Sequence, residues 1–397
     1  LAMLQTVYDN DYVVPALVGR GLPARWTPAS VERPQGQWKV SEDMKSFRTD
    51  GSSPGDVWLH YRHFVPGYSH WKRLQAGEDL LLGSVRGQLI TDFAQYNTEG
   101  IEPRRRTVSR SDDARELGKN PGPDKLGLHW VGDLILECTV HADKAGGHFL
   151  LTLVKAGSFF RCEIDLASGQ AALSVDGLDR FHATAATKCR GPGTHNVRFA
   201  NVDQRLTLWI DGSPVSFDAP TSYWPLNDSR PEVDDLEPAR IGSRHAAVRV
   251  SHVKLFRDIY YIAQRGSGST PMCDYDLSSV ESLNAYGAEN AEERMAAFFS
   301  DPAEWDVFRQ RREVEFHLSA NQFLMLGDNS AESMDSRLWE QRGPQYYVDR
   351  DLLIGKAMVI YWPHSWDAIP GTAGTSWFPN GVWFPMFPNF ARMGAVR

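Results

Sequence analysis

The sequence predicts a mostly β chain, on three observations. Thirteen Trp, 13 Tyr and 19 Phe stand among 33 Gly and 23 Pro, a composition of aromatic strands and tight turns rather than of a helical bundle. Between Val131 and Arg257 apolar residues recur at alternate positions, which in an extended chain puts them on one face. Asp-Gly pairs follow two of these runs, where residues tolerant of positive φ close tight hairpins. With 397 residues and 42% apolar composition, there is material for roughly two or three domains of ~150 residues with buried cores.

The first 100 residues scatter aromatics between turn signals: Tyr8, Tyr12, Trp26, Trp38, Phe47, Trp58, Tyr61, Phe64 and Trp71. Pro15, Pro23, Pro28 and Pro34 interrupt any helical period, which favours short strands and extended loops. A polar interval then runs from Glu99 through Arg104-Arg105-Arg106 to Asp124. Asp112, Asp113 and Glu116 offset the Arg run, so it reads as a solvated loop at the boundary of an insert rather than a polyanion site. Next, Phe160, Cys162, Ile164 and Leu166 alternate with Arg161, Glu163 and Asp165, and Leu206, Leu208 and Ile210 alternate with Arg205 and Thr207. Asp176-Gly177 and Asp211-Gly212 sit just past such runs, and this order of strand, hairpin and strand fits an antiparallel sandwich. Beyond residue 280, Ala288 to Phe299 predicts a helix. Asp301-Pro302 supplies an N-cap and a first-position proline for another over Ala303 to Arg311. Val314, Phe316 and Leu318 alternate with Glu315 and His317 and predict a return to strand.

Lys and Arg number 42 against 50 Asp and Glu, a net charge of −8, so the basic excess of a nucleic-acid protein is missing. No run of about 18 apolar residues offers a membrane span or a secretory core. The start Leu1-Ala2-Met3-Leu4 reads as a cut edge. Cys138, Cys162, Cys189 and Cys273 have neither zinc nor thioredoxin spacing, and their even number permits disulfides without implying them. No cofactor or metal is expected.

Two resemblances are carried by particular residues. His195-Asn196-Val197-Arg198-Phe199, followed by Leu206-Thr207-Leu208-Trp209-Ile210-Asp211-Gly212, resembles the strand, turn and strand of concanavalin-like or laminin-G-like sandwiches. That fold serves lectins, hydrolases and interaction modules alike, so it implies a fold and leaves a glycan or a protein as ligand.

The second lies in Phe323-Leu324-Met325-Leu326-Gly327-Asp328-Asn329-Ser330-Ala331-Glu332-Ser333-Met334-Asp335-Ser336-Arg337-Leu338-Trp339. This segment resembles the signature near the C-terminus of type I signal peptidases, where a strand enters Gly-Asp-Asn and Ser-x-Asp-Ser-Arg follows. Ser330 stands where that family often has Arg. Leu353-Ile354-Gly355-Lys356-Ala357 resembles the family's next strand, and Gln5 to Tyr12 looks like the part just after the lysine motif in large, insert-bearing planctomycete-type members.

The resemblance implies a serine endopeptidase that removes signal peptides from exported preproteins, with a serine nucleophile and a neutral, desolvated lysine as base. By carry-over Ser333 would orient that lysine, Asp335 and Arg337 would form a paired network beside it, and Asp328 and Asn329 would fix the turn. The bland reading is a hairpin turn with a surface ion pair. The dyad motifs, Ser-Met-x-Pro and a lysine before Gly-x-Pro-Gly-Asp, are missing: Ser333-Met334 is followed by Asp335, Gly21-Leu22-Pro23 by Ala24, and Lys356 belongs to a late strand. The chain thus reads as a fragment, itself inactive, of a peptidase at the extracytoplasmic side of the cell membrane. The expected division is 1–124 and 261–397 as parts of one signal-peptidase-like β-domain, with 125–260 as an inserted sandwich and one or two short helices before the C-terminal strands. The rival reading is a non-catalytic glycan- or protein-binding sandwich.

Other candidates are weaker. Glu163-Ile164-Asp165 resembles the Glu-x-Asp-x-x-Glu strand of family 16 glycoside hydrolases, but Ser168 replaces the acid, so outward strand charges are favoured. His60 and His63 lack the Glu of a zincin helix. Asp228, Glu232, Asp234, Asp235 and Glu237 have no EF-hand spacing and read as a solvated acidic loop rather than a calcium site. The aromatics from Trp377 to Phe390 either pack over a sheet edge or dip into a bilayer interface.

Overall fold

The computed structural model describes residues 4–29, 37–92, 127–224, 230–263, 273–276, 291–327, 333, 335–341, 345–355, 357–360, 366–368, 383–387, 390 and 393–395. The polar interval with Arg104–Arg106, the turn residues Asp328 and Asn329, Lys356 and Trp377 all lie outside them. The chain divides into two bodies, one of residues 3–315 with 326–334, the other of 316–325 with 335–397 and the first two residues.

The larger body is an antiparallel two-sheet sandwich, as its alternating sequence predicts. One sheet holds β1 (Gln5–Asp9), β3 (Lys39–Val40), β4 (Ser46–Thr49), β6 (Leu134–Ala142), β11 (Gly193–Val202), β12 (Arg205–Ile210), β13 (Ser213–Pro214) and β15 (Val248–Arg257), in the order β13-β12-β11-β6-β15-β4-β3, with β1 also on β15. The other runs β10-β9-β8-β7-β14-β5-β2, from β2 (Trp26–Pro28), β5 (Val57–Tyr61), β7 (His148–Lys155), β8 (Ser158–Asp165), β9 (Gln170–Val175), β10 (His182–Ala186) and β14 (Ala239–Arg244).

Phe160, Cys162, Ile164 and Leu166 are all buried, as their period of two requires, and Leu206, Leu208 and Ile210 meet them in the same core. Asp211 and Gly212, at φ 51° and 76°, form the two-residue hairpin between β12 and β13. Asp176-Gly177 instead opens a longer loop, because β10 begins only at His182. All four cysteines are free and buried. Burial pushes the Cys138 and Cys162 thiols up, and Cys189 to about 12, so these three are packing groups rather than nucleophiles.

The expected boundary near residue 124 does not hold for the early strands. Gln5 pairs with Arg257, Phe47 with Val250, and Leu59 with Ile241, so β1, β4 and β5 are strands of the sandwich itself. The reason is apolar coverage. Val57, Leu59 and Tyr61 alternate inward on β5, and with Trp26, Trp38 and Phe47 they belong to the same buried cluster as Leu136 and Phe199.

Beside the sandwich lies a second cluster, built on α1 (Ala291–Ser300) and a 3-10 helix, Pro302–Gln310. The expected cap is present: the Asp301 carboxylate accepts from the Ala303 N–H at 3.0 Å, and Pro302 follows. Phe298, Trp305 and Phe308 are fully buried there, and the Trp305 indole N–H donates to the Phe298 carbonyl at 2.9 Å.

In the smaller body, β16 (Gln322–Phe323) pairs with β17 (Val348–Asp349), β18 (Val359–Ile360) with β21 (Gly394–Ala395), and β19 (Trp366–Ala368) with β20 (Trp383–Phe387). The strand expected over Val314 to Leu318 is not formed. Val314 and Phe316 are half-buried and Leu318 is exposed, but alternation alone does not make a strand without a neighbour to take its hydrogen bonds. Leu353 to Gly355 are likewise outside any strand, and β18 starts at Val359.

Candidate active site

The signature segment is described at its two ends. On entry, the Ser336 N–H donates to the Met325 carbonyl at 2.9 Å while the Met325 N–H donates to Ser336 Oγ at 2.8 Å. Ser336 is fully buried, so this two-way tie fastens the β16 exit to the 3-10 helix Ser336–Gln341. Sequence reading did not single out Ser336. The signal was available in the Asp-Ser-Arg triplet, since a serine between two paired charges needs a partner of its own once buried.

Asp335 and Arg337 lie in ion-pair reach, as the resemblance implies. Arg337 Nε donates to Asp335 Oδ1 at 2.8 Å and a terminal guanidinium nitrogen to Oδ2 at 2.7 Å, with both side chains 5% exposed. Their shared side comes from a turn rather than a strand: the Arg337 N–H donates to Asp335 Oδ1 at 3.2 Å and the Leu338 N–H to the Asp335 carbonyl at 2.9 Å. A surface ion pair is therefore ruled out. The fork is planar, permanently charged and held at two points, which suits it to fixing a backbone rather than moving protons.

Ser333 is half-buried and groups with the larger body, so the boundary between the bodies falls between it and the Asp335–Arg337 pair. Around β16 and β17, the Arg350 N–H donates to the Asn321 carbonyl at 2.9 Å and its guanidinium lies 5.2 Å over the Phe323 ring. Tyr346 O–H donates to the His317 carbonyl at 2.8 Å.

The remaining candidates have structural partners. His63 is buried beside the Tyr61 hydroxyl at 3.1 Å, and burial, with the Arg25 charge, lowers its pKa to about 3. His60 sits 2.6 Å from Glu237, whose pKa falls to about 2 through that bond and the one from Arg62. The acidic loop is not free in solvent, contrary to expectation. Asp235 is buried and accepts from the N–H groups of Ala156, Gly157 and Glu232, and Asp234 pairs with Arg240 at 2.9 Å. The Asp235 carboxyl holds the β7–β8 turn, whose Ala156 and Gly157 both have positive φ. Among the described residues no group of three or more His, Cys, Asp or Glu could hold a metal ion.

One cluster escaped the sequence reading altogether. His129 Nδ1 lies 2.7 Å from Asp92 Oδ2, its Nε2 accepts the Asp274 N–H at 3.0 Å, and Tyr260 stacks on the ring at 4.6 Å. Both ring nitrogens are engaged, and this buried histidine joins three distant segments.

Residues 277–362 match the family model of signal peptidase, peptidase S26. No curated protein matches the chain. Among solved structures, it is similar to a galectin, LEC-6, of Caenorhabditis elegans (9% identity, TM-score 0.23, covering 32% of this chain and 83% of that one). It is similar also to sheep galectin-11 (10%, TM-score 0.24, 32% and 92%) and to the carbohydrate binding module CBM66 from Bacillus subtilis (11%, TM-score 0.24, 59% and 92%). No helix among the described residues is long and apolar enough to cross a membrane. The chain is mostly β, a two-sheet sandwich carried together with a segment, 277–362, that matches the signal peptidase family model.

Proposed function

We propose that this chain is part of a signal-peptidase-type serine endopeptidase in which residues 277–362 form a supporting portion of the catalytic domain and the sandwich is an accessory module. The match over 277–362 carries the reading, and the buried Asp335–Arg337 fork supports it at the positions the resemblance assigns. In this reading the nucleophilic serine and its lysine come from sequence outside these 397 residues. Ser333 orients the lysine amine, the fork holds the backbone beside it, and Asp328 and Asn329 shape the turn. The substrates are signal-peptide-bearing preproteins met at the extracytoplasmic membrane surface, which the aromatic C-terminal stretch helps to engage.

Loss of nucleophile or base removes ~10⁴ or more in rate from serine hydrolases of this logic. The purified 397-residue chain should therefore leave a signal-peptide substrate intact, while a longer protein restoring the dyad should cleave it and lose activity on Asp335→Asn. Cleavage by the chain alone, abolished by Ser333→Ala, would make Ser333 the nucleophile and overturn the assignment of roles.

A further inference from the structure

The sheet containing β5, β14, β7 and β8 turns one face to the core, through Leu59, Ile241, Leu151 and Cys162. Their neighbours in sequence therefore point the other way, and the strand register sets them in rows. One row reads Trp58, Gly242, Leu150, Glu163; the row beside it reads His60, Arg240, Thr152, Arg161. Arg244 and His148 begin a third.

Three features of this face stand out. The half-exposed Trp58 indole lies flat over Gly242, so close that a Cβ there would come within 2.7 Å of the ring. Next to it, Arg244 donates to both oxygens of Asp56, at 2.7 and 3.1 Å, and to Glu163 at 3.0 Å, while His148 lies 2.9 Å from the same Glu163 oxygen. Each of these four side chains is about a third exposed, Arg244 and Glu163 at 37%. Finally, Thr152 is 2% exposed and its Oγ1 has no hydrogen-bond partner, nor has Nε of Arg240, the residue directly across from it in register. Two polar groups with unspent capacity, in the row beside Trp58 and the Arg244 cluster, are costly unless something satisfies them.

We infer that this face binds a neutral, polyhydroxylated ligand, a saccharide, seated on the Trp58 ring with its hydroxyls meeting Glu163, Arg244, Thr152 and Arg240. The charge pattern selects this class. Arg244 is matched by Asp56 and Glu163, Arg240 by Asp234, and Arg161 by Asp176, so the face offers an anion no surplus cation. A hydroxyl both donates and accepts, and neighbouring sugar hydroxyls fit alternating carboxylates and guanidiniums. The apolar flank of a sugar ring fits an indole face. Thr152 faces Arg161 in register, and reaching its hydroxyl requires the Arg161 side chain, paired with Asp176 and lying over the Phe159 ring, to shift.

The inference is independent of the peptidase reading, and its test measures no cleavage. The 397-residue chain is applied to an immobilised panel of neutral hexose and N-acetylhexosamine oligosaccharides, with uronic-acid and sialylated counterparts alongside, and the best binder is titrated in solution. We expect a neutral oligosaccharide to bind and to lose about tenfold or more in affinity with Trp58→Ala and with Glu163→Gln, a loss of the size expected for one charge-assisted hydrogen bond or one stacking contact. Thr152→Val should weaken it severalfold. Far-UV circular dichroism and Tm unchanged in Glu163→Gln separate lost binding from lost folding. Binding confined to acidic glycans, absence of any neutral binder, or an affinity indifferent to both Trp58→Ala and Glu163→Gln would overturn the assignment.

Discussion

The two bodies of this chain are stabilised by different means. In the sandwich, strands of up to ten residues bury a continuous apolar cluster, with Leu136, Phe149, Ile164 and Phe199 at or near zero exposure. In the smaller body, strands run to two to five residues among those described, Leu352, Ile354 and Met358 stand 66%, 105% and 78% exposed, and local order centres on one buried ion pair and one serine tie. The sandwich is thus a fold that its own apolar area secures, whereas the smaller body fixes a short turn by directed polar contacts. Hydrophobic burial is tolerant of detail, and a buried ion pair is not.

That contrast can be broken most forcefully in the core. Phe199→Ala should cost about 3–5 kcal/mol and show as a large fall in the urea midpoint of the sandwich transition. Loss of less than a third of that would mean the cluster is less well packed than its burial implies. In the smaller body, Asp335→Asn should cost about 3–5 kcal/mol by breaking the buried pair, while the double change Asp335→Leu with Arg337→Met should cost much less. Hydrogen exchange of the Ser336 and Arg337 amides would read this directly. Equal losses in the single and double variants would show that the pair's geometry, not its charge balance, holds the turn.

Acid should act on the sandwich first. His63 is buried with a folded pKa of about 3, below its unfolded value, so its contribution is present above about pH 6.5 and is lost as pH falls toward 3. Glu237, with a folded pKa of about 2, adds a further loss below about pH 4.5. Together they should lower sandwich stability by on the order of 5 kcal/mol between pH 7 and pH 3, most of it from His63, measured by urea titration, and His63→Leu should flatten the upper part of that slope. At the small end, Ile354→Ser should change stability by no more than about 0.5 kcal/mol, because a fully exposed side chain loses no burial. A larger effect would reveal a partner surface for that residue.

Much of this was legible in the sequence. The inward sets of β8 and β12, the Asp211-Gly212 hairpin, the Asp301 cap and the Asp335–Arg337 pair all follow from interactions within a few residues, which local periodicity and turn chemistry encode. The strand expected over Val314 to Leu318 failed for the complementary reason, since a period of two reports which face is apolar but not whether a neighbouring strand exists.

What the sequence determined by itself, then, was the class of the fold, the local turns and caps, and the likeness of 277–362 to a known family. Only the tertiary structure decided that Leu59 pairs with Ile241 and Phe47 with Val250, which draws the early strands into the sandwich. It alone set Trp58 and Glu163 in one row with Thr152 and Arg240 in the next. Contacts between residues so far apart in sequence leave no periodic trace, because strand pairing is read by backbone hydrogen bonds that any residue but proline supplies, and the partner is chosen by packing of the whole core.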